Sequence, residues 1–429
     1  MVATANAIEY KKVSPNFGGG LDMTSDVEGL PDNVLSIAEN MRMTRKGYYY
    51  TRFGIANKAD LSSSAAVDDM HPNNQYDVFF AKSGTKIYAS INGETWYDTG
   101  VVRTASAADV LHDFGTYILA SNGTDNLIRI TSGINNADFT GSSTVITLDA
   151  GHNTNFRTPD TATFTADSTT DTLTATSHGL STGDRVAFYN SGGALPGGIS
   201  QWVEYFVLNS TANTFQLSAT YGGSTLDITS NGSGTNTFTD GIAYCGGNML
   251  TYTAKSGNTL TGAKVQSGTY AADLAITQSY DPSQGKKGRC MYDLDEKLLM
   301  GGVDGYEDVL YYSATSDDSN PEYITNLTQF DAGAKRMPSK ITALMGGSGI
   351  VIIGLKKGIY FAHSFDIQTG SLVTRRITDN YGVPNAHCIV YMDPFYYVFT
   401  GNRILQIAAD KNGVQLLEPT PQNPIVSFD

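Results

Sequence analysis

Four basic residues, Arg42, Arg45, Lys46 and Arg52, stand among Tyr48, Tyr49, Tyr50 and Phe53 in the stretch ENMRMTRKGYYYTRFGIAN (39–57). Basic side chains interleaved with aromatic rings are what a nucleic-acid surface uses, cations for phosphate and rings for stacking. The same stretch also fits the first strand of a β domain, with Tyr48, Tyr50 and Arg52 on one face and Tyr49, Thr51 and Phe53 on the other. The formal net charge of −14 over 429 residues argues against the first reading, and the place of the stretch, between an irregular arm and the first strand repeat, favours the second. Phosphate binding needs clustered Lys and Arg, and an acidic chain favours a surface along which DNA slides without sticking.

Other groups able to do chemistry are scattered. His71, His112, His152, His178, His363 and His387 never pair at i, i+2, i+3 or i+4, so no zinc spacing is present. His178, in SHGLSTGD, reads as a turn-stabilising residue. GIVIIGLKKG (349–358) approaches a phosphate loop, but Leu355 intervenes before Lys356 and no Ser or Thr follows the Lys. It reads as two strands. No G-x-S-x-G elbow occurs. Carboxylates gather at Asp293, Asp295 and Glu296, at Asp304, Glu307 and Asp308, and at Asp317 and Asp318. Their spacing completes no EF-hand loop, and they read as solvated turns. Trp96, Trp202, Tyr205 and Tyr221 suit stacking on sugars or bases, against the plainer reading of cross-strand packing. Cys245, Cys290 and Cys388 are too few and too far apart for a disulfide framework or a metal site. The expected catalytic, cofactor and metal sites are therefore none.

The elements that must position these residues are strands. Charged residues are 16% of the chain, and 45 Gly and 25 Tyr accompany abundant Thr, Ser and Asn, a composition suited to strands and turns. Residues 1–46 read as an irregular arm. Within it PDNVLSIAENMRM (31–43) places Val34, Ile37, Ala38 and Met41 on one face of a short helix. Residues 1–20 lack the basic start and apolar run of a signal peptide, and Ile350 to Leu355 is too short a run to span a membrane.

From Tyr48 onward short apolar strands alternate with turn signals such as SGT, NG and NGTDN. A repeating unit of strands and Gly turns begins near residues 76, 109, 290, 341 and 387, which predicts five propeller blades. The reading is all-β, with a β-propeller-like core over 47–130 and 281–415 and a C-terminal tail over 416–429. Residues 131–280 interrupt it with almost no Lys, Arg or Glu. They read as an insert in a loop between blades. Inside it 161–239 forms a compact β-sandwich or barrel, with Leu173 and Ala175 facing its core and Phe206, Phe215 and Leu217 continuing the apolar pattern. LTYTAKSGNTLTGAK (250–264) predicts a hairpin around Ser256-Gly257-Asn258.

Three segments together resemble a family. SPNFGGGLDMTSDVEGLPDNVLSIAENMRM (14–43), GYYYTRFGI (47–55) and YGVPNAHCIVYMDPFYYVFTGNRILQI (381–407) are similar to the arm, the first-blade opening and a late blade of the tail hub or nozzle proteins of short-tailed bacteriophages, the packaged-DNA stabilisation and tail tubular proteins. TATSHGLSTGDRVAFYN with ALPGGIS, EYFVL and NTFQLS resembles a small β module scattered through phage tail and virion proteins. The resemblance implies a non-enzymatic virion protein of the tail or neck, assembled in the host cytoplasm. It implies a ring of copies of itself, usually sixfold, below the portal and its adaptor, without membrane insertion. Such a ring extends the DNA channel, helps retain and later eject the genome without reading its sequence, and meets tail fibre or spike proteins. Arg42, Arg45, Lys46, Arg52, Tyr48 and Tyr50 become candidate assembly contacts, the cations meeting acidic neighbours in the ring. The insert, outside the family's shared core, suits a peripheral decoration. A reading from another class is a peripheral tail adhesin that binds host surface carbohydrate.

Overall fold

A computed structural model describes 61, 65–73, 78–114, 117–152, 156–266, 268–280, 287–313, 333–347, 349–366, 368–401, 403–410 and 413–417, together with four short strands before residue 61. Those four make two ladders. Gly20–Leu21 runs parallel to Val34–Leu35, and Met41–Met43 runs antiparallel to Tyr49–Thr51. The helix expected over 31–43 is thus replaced by strands at both of its ends. An isolated helix this short is marginal, because one costly nucleus is repaid by few hydrogen bonds, whereas each ladder satisfies its backbone through a partner strand. Residues 1–58 and 419–425 group as one unit and 59–418 as another. The strand Tyr49–Thr51, expected to open the first blade, falls in the former.

The larger unit is all-β and propeller-like. Its first blade is the antiparallel meander Val67–Asn73, Val78–Ser83, Lys86–Ser90 and Tyr97–Val102. The second has Val110–Phe114, Tyr117–Ser121 and Ile128–Ile134, and takes Ala275–Tyr280 as its fourth strand. The third is Cys290–Leu294, Lys297–Gly301, Val309–Tyr312 and Gly333–Arg336. The fourth is Ile341–Gly347, Ile350–Leu355, Ile359–Phe365 and Leu372–Thr378, and the fifth is Ile389–Met392, Phe395–Phe399, Ile404–Asp410 and Gly413–Leu417. First strands of successive blades lie side by side from the first blade to the fifth.

Period-2 alternation explains how these sheets stack. A blade's inner strands are apolar on both faces, so each strand feeds two cores. On Tyr117–Ser121, Ile118 and Ala120 pack toward blade one while Tyr117 and Leu119 pack toward blade three. On Lys297–Gly301, Leu298 and Met300 face blade two and Leu299 faces blade four. On Ile350–Leu355, Val351, Ile353 and Leu355 face blade three while Ile350 and Ile352 face blade five. Each of the Leu, Ile, Val and Met side chains among them contributes about 1.5–3 kcal/mol on burial. GIVIIGLKKG accordingly forms two adjacent blade strands. Gly354 in it is required by a close approach: a Cβ there would lie 2.8 Å from the Val383 Cβ.

The insert does not sit between blades. It leaves after Ile134 and returns at Ala275, between the third and fourth strands of blade two. Ile242–Cys245, Asn248–Thr251 and Lys264–Val265 then extend that blade's sheet beyond Ala275–Tyr280. The expectation of an inter-blade loop fails because the pairing of Ile128–Ile134 with Ala275–Tyr280 spans the whole insert. Ala254–Ser256 and Thr259–Thr261 form the expected hairpin, with Gly257 at φ 54°. The module is a closed six-stranded barrel from Thr161–Asp167 to Thr235–Thr239. Leu173, Ala175, Phe215 and Leu217 are buried in it, while Phe206 lies on the outside, edge-on to Tyr221.

Candidate functional site

The six predicted assembly residues are only partly placed. Arg42 stands opposite Tyr50 in the ladder of Met41–Met43 with Tyr49–Thr51; Arg45, Lys46, Tyr48 and Arg52 lie outside the described residues. The scattered groups mostly serve packing. His178 is buried, accepts from the Leu180 N–H at 3.1 Å through Nδ1 and stands edge-on to Phe215. Tyr205 is buried in the barrel core and accepts from the Ser200 N–H at 2.9 Å. The Trp96 indole donates to the Gly93 carbonyl at 3.3 Å. Acidic turns are occupied by ion pairs: Asp304 with Arg289 at 3.1 Å, Glu307 with Lys340 at 2.8 Å and Asp308 with Arg336 at 3.0 Å. Asp293 meets His112 at 2.8 Å across blades two and three.

Three arrangements go beyond local packing. The first is the pair of outer sheet faces that end the blade stack. On blade one, Val67, Met70, Phe79 and Val102 are exposed, and the register puts Met70 opposite Ala81 and Val102 opposite Lys86 on the face turned from blade two. On blade five, Val390, Met392 and Phe399 are exposed. Their partners Tyr397, Phe395 and Ile404 continue one apolar face turned from blade four. Among the described residues, most exposed large hydrophobic side chains thus lie on the two end blades of the stack.

The second is a cavity of about 400 Å³ where the first strands of blades two to five begin. It lies beside a buried charge network that stitches blade one to blade two. Asp109, fully buried, takes Arg103 at 2.9 and 2.6 Å, Lys82 at 3.8 Å and Asn122 at 3.3 Å. Lys82, also fully buried, pairs with Asp68 and donates to the Ala107 carbonyl at 3.0 Å. Burial pushes the Asp109 carboxyl up, and Arg103 pulls it down.

The third is a polar cavity of about 240 Å³ at the joint between the barrel and blade two, lined by Arg129, Arg157, Arg185, Asp184, Asp240 and their neighbours. Arg157 meets Asp240 at 2.9 Å and lies 4.0 Å from Asp160 and from Asp184. Arg185 meets Glu204 at 3.2 Å and the Ser279 hydroxyl at 2.9 Å. Burial pushes the Asp240 carboxyl up to about 7, against the pull of Arg157. The folded protein therefore holds a proton there that the unfolded chain releases between roughly pH 4 and pH 7, so this group's contribution to stability falls as pH rises through that window. Expected result: an Asp240→Asn variant loses this term, and the Tm gain of the native protein on acidification from about pH 8 to about pH 5.5 exceeds the variant's by about 2 °C or more. The difference is the readout, because burial holds His71 and His152 below the usual range, and they titrate in the opposite sense. Parallel curves for the two proteins contradict the assignment.

No group of His, Cys, Asp and Glu placed to hold a metal occurs among the described residues. No family model and no curated protein matches the chain. Among solved structures, the phage phi92 endosialidase aligns with a TM-score of 0.25 at 12% identity, over 79% of this chain and 54% of that one, so the chain spans about half its length. The AfRom2 CNH domain aligns with a TM-score of 0.26 at 10% identity, over 84% and 87% of the two chains. The WD40 domain of SCAP from fission yeast aligns with a TM-score of 0.24 at 9% identity, over 81% and 65%. The propeller-like architecture rests on the sheet order and inter-blade cores above.

Sequence reasoning missed all three arrangements. Exposed alternation on 390–399 was the available signal for one end face. For the two cavities there was none, because their residues are distant in the chain.

Proposed function

We propose that this protein is a structural, non-enzymatic virion protein that packs against copies of itself to form a ring in a phage tail or neck. The observation that carries the reading is the set of exposed apolar side chains on the outer faces of the two end blades, Met70, Phe79 and Val102 on blade one and Val390, Met392 and Phe399 on blade five. Inside the chain, sheets stack face to face four times through apolar cores. Blade five of one copy on blade one of the next repeats that packing between chains. Two different faces meeting in this way make a heterologous, head-to-tail contact, the type that closes into rings. Contiguous exposed apolar sheet faces otherwise favour aggregation. The net charge of −14 suits a channel through which DNA slides, and the segments 14–55 and 381–407 resemble the tail hub family. On this reading the ring sits below the portal and adaptor, extends the DNA channel, and meets fibre or spike proteins.

The test is the oligomeric state. Native mass spectrometry of the purified protein is expected to show one closed ring, sixfold by the family resemblance. Met392→Glu with Phe399→Glu should leave monomers with the blades still folded. A native monomer whose Tm falls with these substitutions means that the end faces close on each other within one chain, and sinks the ring. Ring particles that fail to join portal–adaptor complexes would instead remove the tail assignment and keep the assembly.

A further inference from the structure

We infer that the cavity where blades two to five begin is a docking site for an extended acidic peptide segment with small aliphatic residues between its carboxylates. Four basic side chains converge there from three blades: Arg289 from blade three, Lys340 and Lys356 from blade four, and His387 from the turn before blade five. Against them stand Glu307 on the wall and Asp304 on Arg289. Among the described residues Lys356 has no ion-pair partner. The Arg289–Asp304 and Lys340–Glu307 pairs are solvent-exposed, with the Arg289 and Lys340 side chains 60% and 57% accessible. Exposed pairs of this kind hold each other weakly, so an incoming carboxylate exchanges into them at little cost.

The floor selects what accompanies the carboxylates. It includes the aliphatic side chains of Val110, Ile341 and Pro384, and among the described lining residues the one aromatic ring is the imidazole of His387, with no Phe, Tyr or Trp. Bases and sugar rings bind chiefly by stacking on aromatic faces, so this floor does not suit them. It does suit Ala or Val side chains on a peptide. The surrounding charge makes the same selection. A chain of −14 repels a long polyanion at a distance. A short segment with two or three carboxylates feels mainly the cations within a Debye length of about 8–10 Å. A volume of about 400 Å³ holds a few side chains rather than a folded domain. The occupant is therefore a tail or loop of another protein. The arrangement depends on the inter-blade stacking alone, so it stands whether or not copies assemble through their end faces.

The experiment measures fluorescence anisotropy of the labelled peptide AEVEVEA against the full-length protein at low salt. Binding is expected, weakening as salt is raised. The Lys340→Gln/Lys356→Gln variant should bind about tenfold or more weakly, and its melting curve should move little, because the only ion pair lost is the exposed one between Lys340 and Glu307. AQVQVQA should not bind. The inference is overturned by absence of AEVEVEA binding, by equal binding to native and variant protein, or by an oligothymidylate that binds more tightly than the peptide and is lost with the same two lysines.

Discussion

Replacing Asp109 with Ala is expected to destabilise the protein by about 3–5 kcal/mol, the cost of leaving buried charge uncompensated. Asp109 accepts two contacts from Arg103 and faces the Lys82 ammonium, and all three side chains are essentially inaccessible to water. Truncation removes the one carboxylate that both cations share. Lys82 keeps Asp68, whose side chain reaches solvent, but the Arg103 guanidinium keeps only backbone carbonyls and Asp125 at 3.7 Å. The two cations would then repel across a desolvated gap at the junction of blades one and two. Lys82→Met should cost much less, since it removes a charge together with its desolvation and leaves Asp109 with Arg103. Urea titration of the three proteins measures the ordering. Asp109→Ala within about 1 kcal/mol of native, or Lys82→Met as damaging as Asp109→Ala, would show that water or a compensating shift reaches the network.

The second large effect is expected in the barrel. Phe215 is fully buried there, with its ring 5.5 Å from Phe238 and 5.0 Å from His178 in edge-to-face contact. Phe215→Ala removes about 3–5 kcal/mol, since the lost transfer energy is joined by a cavity in a small closed core. The effect should stay local. The barrel has its own hydrophobic cluster, and its first and last strands, Thr161–Asp167 and Thr235–Thr239, pair with each other, so the segment leaves and re-enters its host at neighbouring points. Hydrogen exchange is expected to accelerate throughout 161–239 while amides of the blade cores keep native rates. Uniform acceleration across barrel and blades would mean that the two fold as one cooperative unit through the Arg157 and Arg185 contacts at the joint and the hydrogen bond that the Tyr244 hydroxyl donates to Glu204 at 3.1 Å.

Much of the fold follows from the sequence for a simple physical reason. A strand's two faces alternate with period 2, so runs such as Ile350–Leu355, apolar at every position, announce a sheet buried on both sides, and Gly or Asp turns mark its ends. The five restarts of that pattern correspond to five blades, and the clean alternation around Leu173 and Ala175 marks a compact module. Where local pattern misled, a partner strand was the cause. The apolar spacing of Val34, Ile37, Ala38 and Met41 fits one helical turn after another, yet ladders with Gly20–Leu21 and Tyr49–Thr51 take its two ends.

The sequence by itself determined the class of the fold, the existence of an insert, the turn role of His178 and the absence of recognisable catalytic spacing, because these depend on neighbours within a few residues. Only the tertiary structure decided where the insert enters, since that rests on Ile128–Ile134 pairing with Ala275–Tyr280. The same holds for the meeting of Lys82, Arg103 and Asp109, for the basic cavity drawn from Arg289, Lys340, Lys356 and His387, and for which apolar faces remain open at Met70 and Met392. Each depends on how sheets stack, and stacking brings together residues whose separation along the chain carries no periodic signal.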